Sequence, residues 1–205
     1  MPIVGRSADS VDVESSWALY PAMQTSDIFQ MNLDCACSGM DQRKVHMLAR
    51  EAAPKLGLPP PVCLHNPLLP SLQITEANGS FDDNTNINAS IKHKMSKSVG
   101  KGALWINDTS QEIREKYRQA YCPQKVVTGN PVMDHAHMLV FPHYHQLDIQ
   151  RSSKYGGNIT YHSFEELAKA YGKGDLHPLD LKNGVSAAVT KLIQPVSDYF
   201  ENKPE

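Results

Sequence analysis

Between Glu14 and Met31 the residues Trp17, Tyr20, Gln24, Asp27 and Met31 recur at three- and four-residue steps, the spacing of one helix face. The pattern predicts a helix, with a break or kink near Tyr20 because Pro21 interrupts it. Tyr20, Gln24 and Asp27 share that face and make it polar, either as a satisfied surface or as the wall of a small polar pocket. Small residues then run from Asn32 to Gly39. Met40 opens a second helix, with Asp41 in its first turn, where the helix dipole favours a carboxylate. Val45, Leu48, Ala49 and Ala52 form its apolar stripe, and its N-terminus, preceded by Gly39, suits a ligand oxygen. After a turn region at 56–61, Val62-Cys63-Leu64-His65 predicts a buried strand. Helix, short apolar strand and loop make an α/β pattern, in which ligands gather at the carboxyl ends of strands.

Residues 74–93 are rich in Asn, Asp, Ser and Thr and poor in large apolar side chains, which predicts a polar surface insertion. From Asp108 the period becomes helical. Thr109-x-x-Glu112 is a capping box ahead of Ile113, Tyr117 and Tyr121, and Cys122-Pro123 ends that helix. A further helix is expected from Pro131 to Phe141, then an extended, loop-like stretch at 142–162 turned by Gly156-Gly157. Ser163-x-x-Glu166 caps a helix bearing Phe164, Leu167, Ala168 and Tyr171. Pro178 suits the first position of a last helix, with a kink near Pro195. The expected organisation is an α/β portion over 1–107 and a helical domain over 108–205.

Composition narrows the function classes. At 205 residues, 40% hydrophobic and 20% charged, the chain has ordinary globular composition. A formal charge of −2 excludes a general nucleic-acid coat, so any RNA contact must be local and shaped. No apolar run is long enough to span a membrane, and the N-terminal residues lack the apolar core of a signal peptide. The 4 cysteines have no repeating spacing, which suits reduced thiols in a cytoplasmic protein. Cys35-x-Cys37, His135-x-His137 and His143-x-His145 lack partners at metal-ligand spacing, so no protein-held metal is expected.

The chemistry centres on Lys94-Met95-Ser96-Lys97-Ser98. Two lysines three apart, interleaved with hydroxyls and followed by Gly100 and Gly102, make a cationic loop suited to a polyphosphate leaving group. The lysines neutralise charge that develops as pyrophosphate departs, and the serines donate hydrogen bonds.

Taken together, several stretches resemble the tyrosyl-tRNA synthetases of archaea and the eukaryotic cytosol. They are Tyr20-Pro-Ala-Met-Gln24-x-x-Asp27, Gly39-Met-Asp41-Gln42-Arg-Lys-Val-His-Met-Leu-Ala-Arg50, the lysine loop, Ala120-Tyr-Cys-Pro123, Asn130-Pro-Val and Leu176-His177-Pro-x-Asp180-Leu-Lys-Asn183, in the family's order over nearly the whole chain. The resemblance implies an α/β fold, the second half of a Rossmann-type class I catalytic domain, followed by an all-α anticodon-binding domain. It implies activation of L-tyrosine by ATP, with Mg2+ accompanying the nucleotide, and transfer to tRNA(Tyr). Tyr20 and Gln24 would hold the ammonium group of tyrosine, Asp27 its phenolic hydroxyl, and Gln42 would position it. Gly39, Asp41 and Met95 would lie at the adenylate, and Lys94, Ser96, Lys97 and Ser98 at the α-phosphate. Tyr155 and His177 would stack on the first anticodon base and Asp180 pair with it. On the residues alone, the favoured readings are a helix-start carboxylate for Asp180 and core or surface roles for Tyr155 and His177.

The family's His-x-Gly-His stretch is absent from the sequence. The expectation is therefore a carboxyl-terminal half, completed by a missing amino-terminal half, in a homodimer or a fused pseudo-dimer. The insertion at 74–93 is also longer than the family's usual connection. Two other readings are a non-catalytic RNA-binding piece and a tryptophanyl enzyme. Gln24 with Asp27 and the stretch around Asp41-Gln42 favour tyrosine over tryptophan.

Overall fold

The structure, a computed structural model, describes residues 15–73, 95 and 102–201. These form two compact units, residues 15–68 and residues 69–73, 95 and 102–201. By packing, the chain thus divides at 68, whereas the expected functional division falls at 107. The insertion at 74–93 lies outside the described residues.

In the first unit α1 spans Ser15–Gln30 and runs through Pro21 without interruption. Strand β1, Cys35–Gly39, leads into a 3-10 turn, Met40–Gln42, and then α2, Arg43–Ala52. A second 3-10 turn, Ala53–Leu56, closes on Gly57 and delivers the chain to β2, Val62–Asn66. The two strands pair in parallel, Cys35 opposite Val62 and Gly39 opposite Asn66. Parallel pairing requires a crossover, and α2 supplies it. Helix α2 buries Val45, His46 and Ala49. Arg50 donates from its guanidinium to the Pro61 carbonyl at 2.5 Å, tying the helix to the entry of β2. The expected buried strand is buried on one side only: Val62 and Leu64 are each 55% exposed.

The second unit is built on α3, Ser110–Gln119, which packs along α7, Pro178–Glu201. Both bonds of the Thr109–Glu112 capping box are present. Helix α3 ends before Tyr121, whose amide turns away to the Leu72 carbonyl at 2.8 Å. Asn130 caps α4, Pro131–His135, by accepting from the Val132 and Met133 amides. The chain then widens into a π turn, Ala136–Val140, before α5, Phe141–Tyr144. Phe141 donates to Ala136, five residues back, just ahead of Pro142. A wider turn suits that place, since Pro142 has no N–H to give and its ring would crowd the carbonyl four residues back.

Strands β3, Leu147–Ile149, and β4, Ile159–Tyr161, pair antiparallel, so the expected all-α unit carries a small sheet where a loop was expected. Their period is too short to read from sequence. Ser163 caps α6, Phe164–Lys173. Helix α7 continues through Pro195. The core joins Ile113, Tyr117, Met133, Leu147, Leu167, Tyr171, Leu181 and Val185, with the incoming Leu72 fully buried among them.

One polar contact runs through this core. His135 is fully buried, with Nε2 2.8 Å from the Pro70 carbonyl and Nδ1 2.8 Å from the Tyr117 hydroxyl. A carbonyl only accepts, so Nε2 carries the proton and Nδ1 accepts from tyrosine. Burial pushes the imidazole pKa down to about 4, the Pro70 bond opposing, and raises that of Tyr117. The pair is neutral and joins residues 70, 117 and 135.

Candidate functional site

The first cluster stands at the carboxyl end of β1. There the strand stops at Gly39 and the chain tightens through Met40, Asp41 and Gln42 into α2. Gly39 is needed for the close fit: a Cβ there would lie 2.7 Å from Asp41 Oδ1 and 2.7 Å from Leu68 Cδ2. Helix α1 packs against α2 and brings Gln24 to this turn. Gln24 Nε2 donates to Gln42 Oε1 at 3.2 Å, and Gln24 Oε1 is buried with no hydrogen-bond partner. A buried amide oxygen left open is a costly vacancy that a donor would fill.

Tyr20 and Asp27 are one turn to either side of Gln24 on α1, at four- and three-residue spacing. Tyr20 is 47% exposed and Asp27 is exposed, and neither side chain hydrogen-bonds to another described residue. The structure therefore joins Gln24 to Gln42 and Gly39 to Asp41, and leaves Tyr20 and Asp27 open on the same helix.

Of the lysine loop, Lys94, Ser96, Lys97 and Ser98 lie outside the described residues. Met95 is held at both ends: its amide donates to the Leu69 carbonyl at 2.9 Å, and its sulfur accepts from the Leu104 amide at 3.2 Å.

The third cluster is in the second unit. Tyr155 ends a 3-10 turn, Ser153–Tyr155, and is 65% exposed, with Lys154 Nζ 5.8 Å from its ring centroid. His177 is exposed and accepts on Nδ1 from the Leu179 amide at 3.1 Å, a side-chain cap on α7. Asp180 is half-buried in the first turn of α7.

Arg151, which sequence reasoning passed over, binds these pieces. Its Nε donates to the Gly157 carbonyl at 3.0 Å and its terminal nitrogen to the Asp175 carbonyl at 3.2 Å. The turn carrying Tyr155 and the chain entering α7 are thereby held together. An exposed aromatic, an exposed imidazole and a half-buried carboxylate are residue types suited to stacking and edge bonding of an unpaired base.

A second feature missed from sequence is the contact of His46 on α2 with His65 on β2, ring centroids 5.0 Å apart. His46 Nδ1 and His65 Nε2 are buried without partners. Burial lowers both pKa values first; His65 lowers His46 further, and Arg43 lowers His65. Among the described residues no three His, Cys, Asp or Glu side chains gather as a metal site. His135 is committed to Tyr117 and Pro70, and His137 stacks on Phe164 at 4.2 Å.

The chain resembles known proteins over nearly its whole length. The family model described as tRNA synthetases class I (W and Y) matches residues 12–194. A tyrosine–tRNA ligase of Aeropyrum pernix is 45% identical over 201 residues, 96% of this chain and 54% of that protein. A crystal structure of the tyrosyl-tRNA synthetase of Pyrococcus horikoshii, complexed with L-tyrosine, superimposes with a TM-score of 0.82 at 37% identity, covering 96% of this chain and 56% of that one. The corresponding Archaeoglobus fulgidus protein, also complexed with L-tyrosine, gives a TM-score of 0.74 at 39% identity over 92% of this chain and 53% of that one. The chain spans about half the length of the curated relatives it matches.

Proposed function

The chain belongs to the class I tRNA synthetases of tryptophan and tyrosine, and on that premise we propose that it is the carboxyl-terminal portion of a tyrosine–tRNA ligase. Completed by an amino-terminal half, in a homodimer or a fused pseudo-dimer, it would work in the cytoplasm. Residues 1–107 are then the second half of a Rossmann-type catalytic domain, and residues 108–205 the anticodon-binding domain.

In the first step the tyrosine carboxylate attacks the α-phosphorus of ATP. The bond from that phosphorus to the bridging oxygen breaks, and pyrophosphate leaves with the electron pair. No protein nucleophile is required, so the chain contributes positioning and charge stabilisation. Tyr20 and Gln24 hold the ammonium group, Asp27 accepts from the phenol, and Gln42 fixes Gln24 and the amino acid together. Gly39 and Asp41 lie against the ribose, with Met95 beside the adenylate. Lys94 and Lys97 offset the growing charge and Ser96 and Ser98 donate to it. Mg2+ enters with ATP as part of the substrate. The adenylate is then passed to tRNA(Tyr), whose first anticodon base is read by Tyr155, His177 and Asp180.

The observation that carries this reading is the Gln24–Gln42 bond at the carboxyl end of a parallel strand, where α/β folds bind ligands. Its open Gln24 oxygen supplies an acceptor suited to an ammonium donor. Asp27 makes the choice of tyrosine, because a site that bonds a hydroxyl discriminates against the analogue lacking it; the general rule is known from this enzyme class. The experiment is tyrosine-dependent exchange of pyrophosphate into ATP, with this chain mixed with the amino-terminal half of a related enzyme. Exchange should appear in the mixture and be lost on Asp27→Ala, while tRNA binding persists. Exchange that survives Asp27→Ala removes the pocket assignment. RNA binding without exchange in an assembled mixture favours the non-catalytic reading.

A further inference from the structure

Within the second unit, the chain segments that flank the lysine loop in sequence bond to each other and to the loop. The Met95 amide donates to the Leu69 carbonyl at 2.9 Å, and the Leu104 amide donates to the Met95 sulfur at 3.2 Å. The Leu72 amide donates to the Gly102 carbonyl at 2.9 Å. The approach is close enough to need glycine: a Cβ at Gly102 would run into Ser71 Oγ and stand 3.1 Å from the Gln73 amide nitrogen. Residues 69–72 and 102–104 therefore form one base, and Met95 is attached to both of its strands.

The base is fastened to the helices in three ways. Leu72 and Ala103 are buried, and Leu104 packs against the same core as Leu72. The Leu72 carbonyl accepts from the Tyr121 amide at 2.8 Å. The third tie is a side chain: His135 Nε2, at the end of α4, donates to the Pro70 carbonyl at 2.8 Å. The Tyr117 hydroxyl on α3 lies 2.8 Å from Nδ1, and by donating there it selects the tautomer that carries the Nε2 proton. Burial keeps the ring neutral, so it has one proton to give, and the Pro70 carbonyl receives it. An aliphatic side chain would fill this core with no polar atom to satisfy, so packing alone gives no reason for an imidazole here.

What the imidazole holds is adjacent to what holds the loop. Leu69 and Pro70 are consecutive, and their carbonyls bond Met95 and His135 respectively. Each peptide unit is planar, and proline locks its own φ. A single free torsion, ψ of Pro70, therefore relates the carbonyl that His135 holds to the carbonyl that holds Met95. We propose that His135 is a positioning residue for the lysine loop: by donating to the Pro70 carbonyl it fixes the neighbouring Leu69 carbonyl, hence Met95, and hence the point from which Lys94 and Lys97 act. Tyr117 supports it by setting the tautomer. The proposal rests on the synthetase reading given above, and it deepens that reading by tracing the placement of the two lysines to a buried pair on α3 and α4.

The test compares His135→Leu, which removes the donor to Pro70, with Leu181→Ala, which truncates the same core without touching the base. The first readout is amide hydrogen exchange in the full 205-residue chain. His135→Leu should speed exchange at the Met95 amide about tenfold relative to Ile113 of α3, the scale of one lost anchoring bond. Leu181→Ala should leave that ratio unchanged. The second readout is tyrosine-dependent pyrophosphate exchange by the chain mixed with the amino-terminal half of a related enzyme, expressed per site titrated by adenylate formation. His135→Leu should lower kcat about tenfold, since a displaced catalytic group costs rate, and leave KM for tyrosine unaltered. Leu181→Ala, which only reduces the folded fraction, should leave kcat per titrated site unaltered. Equal kcat per titrated site in the two variants overturns the positioning role, whether or not Met95 exchanges faster, and leaves the synthetase reading standing. Absence of exchange in the unsubstituted mixture overturns the synthetase reading and the positioning role with it.

Discussion

The two units use apolar residues in opposite ways. In the second unit, eighteen buried residues from Leu72 to Val189 form one connected core among the described residues. In the first unit, Ile28, Ala36 and Ala49 form a cluster with Phe29 packed against it. The first unit is not short of large apolar side chains. Leu19, Met23, Met31, Leu33, Val62 and Leu64 are all exposed, between 38% and 64%. On β1 and β2, α2 packs on the side of Ala36, Cys63 and His65, while Cys35, Cys37, Val62 and Leu64 face outward. Parallel sheets are normally covered on both faces. Apolar area left in water contributes none of the ~25 cal/mol per Å² that burial gives. The difference teaches that stability sits in the helical unit, while the strand-end cluster stands on a thinly supported one.

The largest effect that tests this is a core truncation. Leu181→Ala removes a fully buried side chain from the helical unit and should cost about 2–5 kcal/mol. The chain has 2 tryptophans, Trp17 in α1 and Trp105 in the second unit. A Trp17→Phe background therefore reports the helical unit, and urea unfolding followed through Trp105 should shift by that amount. A loss under about 1 kcal/mol would put the main stabilisation elsewhere.

Acid sharpens the comparison next. His135 is held neutral in the fold with a pKa of about 4, against about 6.5 unfolded. Above pH 6.5 neither state binds the proton, and the buried pair contributes fully. Between pH 6.5 and 4 the unfolded chain is protonated and the fold is not. Stability of the helical unit should therefore fall as pH drops, by about 1.4 kcal/mol per pH unit and about 3 kcal/mol in all. His135→Gln should lower stability at pH 7.5 by about 1–3 kcal/mol through the disturbed Tyr117 and Pro70 bonds, and flatten the acid slope. A slope unchanged by His135→Gln would assign the acid sensitivity to other groups. His46 and His65, whose pKa values are also lowered, act in the same direction on the first unit.

Sequence alone made some of this legible. The capping box at Thr109–Glu112 and the Ser163 cap that accepts from the Glu166 amide announced α3 and α6, because a cap is a local bond between residues at fixed spacing. Strand β1 was not legible: Cys-Ala-Cys-Ser-Gly has no β-branched residue and acquires its conformation from pairing with β2. Pro21 and Pro195 suggested breaks, yet α1 and α7 continue through both, local preference yielding to the fold. At the site, Tyr20, Gln24 and Asp27 could be placed on one helix face from their spacing. The Gln24–Gln42 bond could not, since it joins residues 18 apart through the packing of α1 on α2. Arg151 and the His46–His65 contact escaped for the same reason: they depend on carbonyls and rings brought close by the fold.

The smallest expected effect is the one that would break the comparison outright. Leu64 is the same residue type as Leu181, but it is 55% exposed on the outward face of β2. Leu64→Ala therefore removes side-chain atoms that are largely in water and leaves no closed cavity, so it should cost less than about 1 kcal/mol. Unfolding is read through Trp17 in a Trp105→Phe background. A loss as large as that of Leu181→Ala would show the outward face to be covered, and the contrast between the units would vanish. Adding the amino-terminal half of a related enzyme turns the same variant into an assembly probe. If that half settles on β1 and β2, Leu64 becomes buried on assembly, and Leu64→Ala should weaken the complex more than it weakens the chain alone. Equal sensitivity with and without the added half would place the docking surface away from this face.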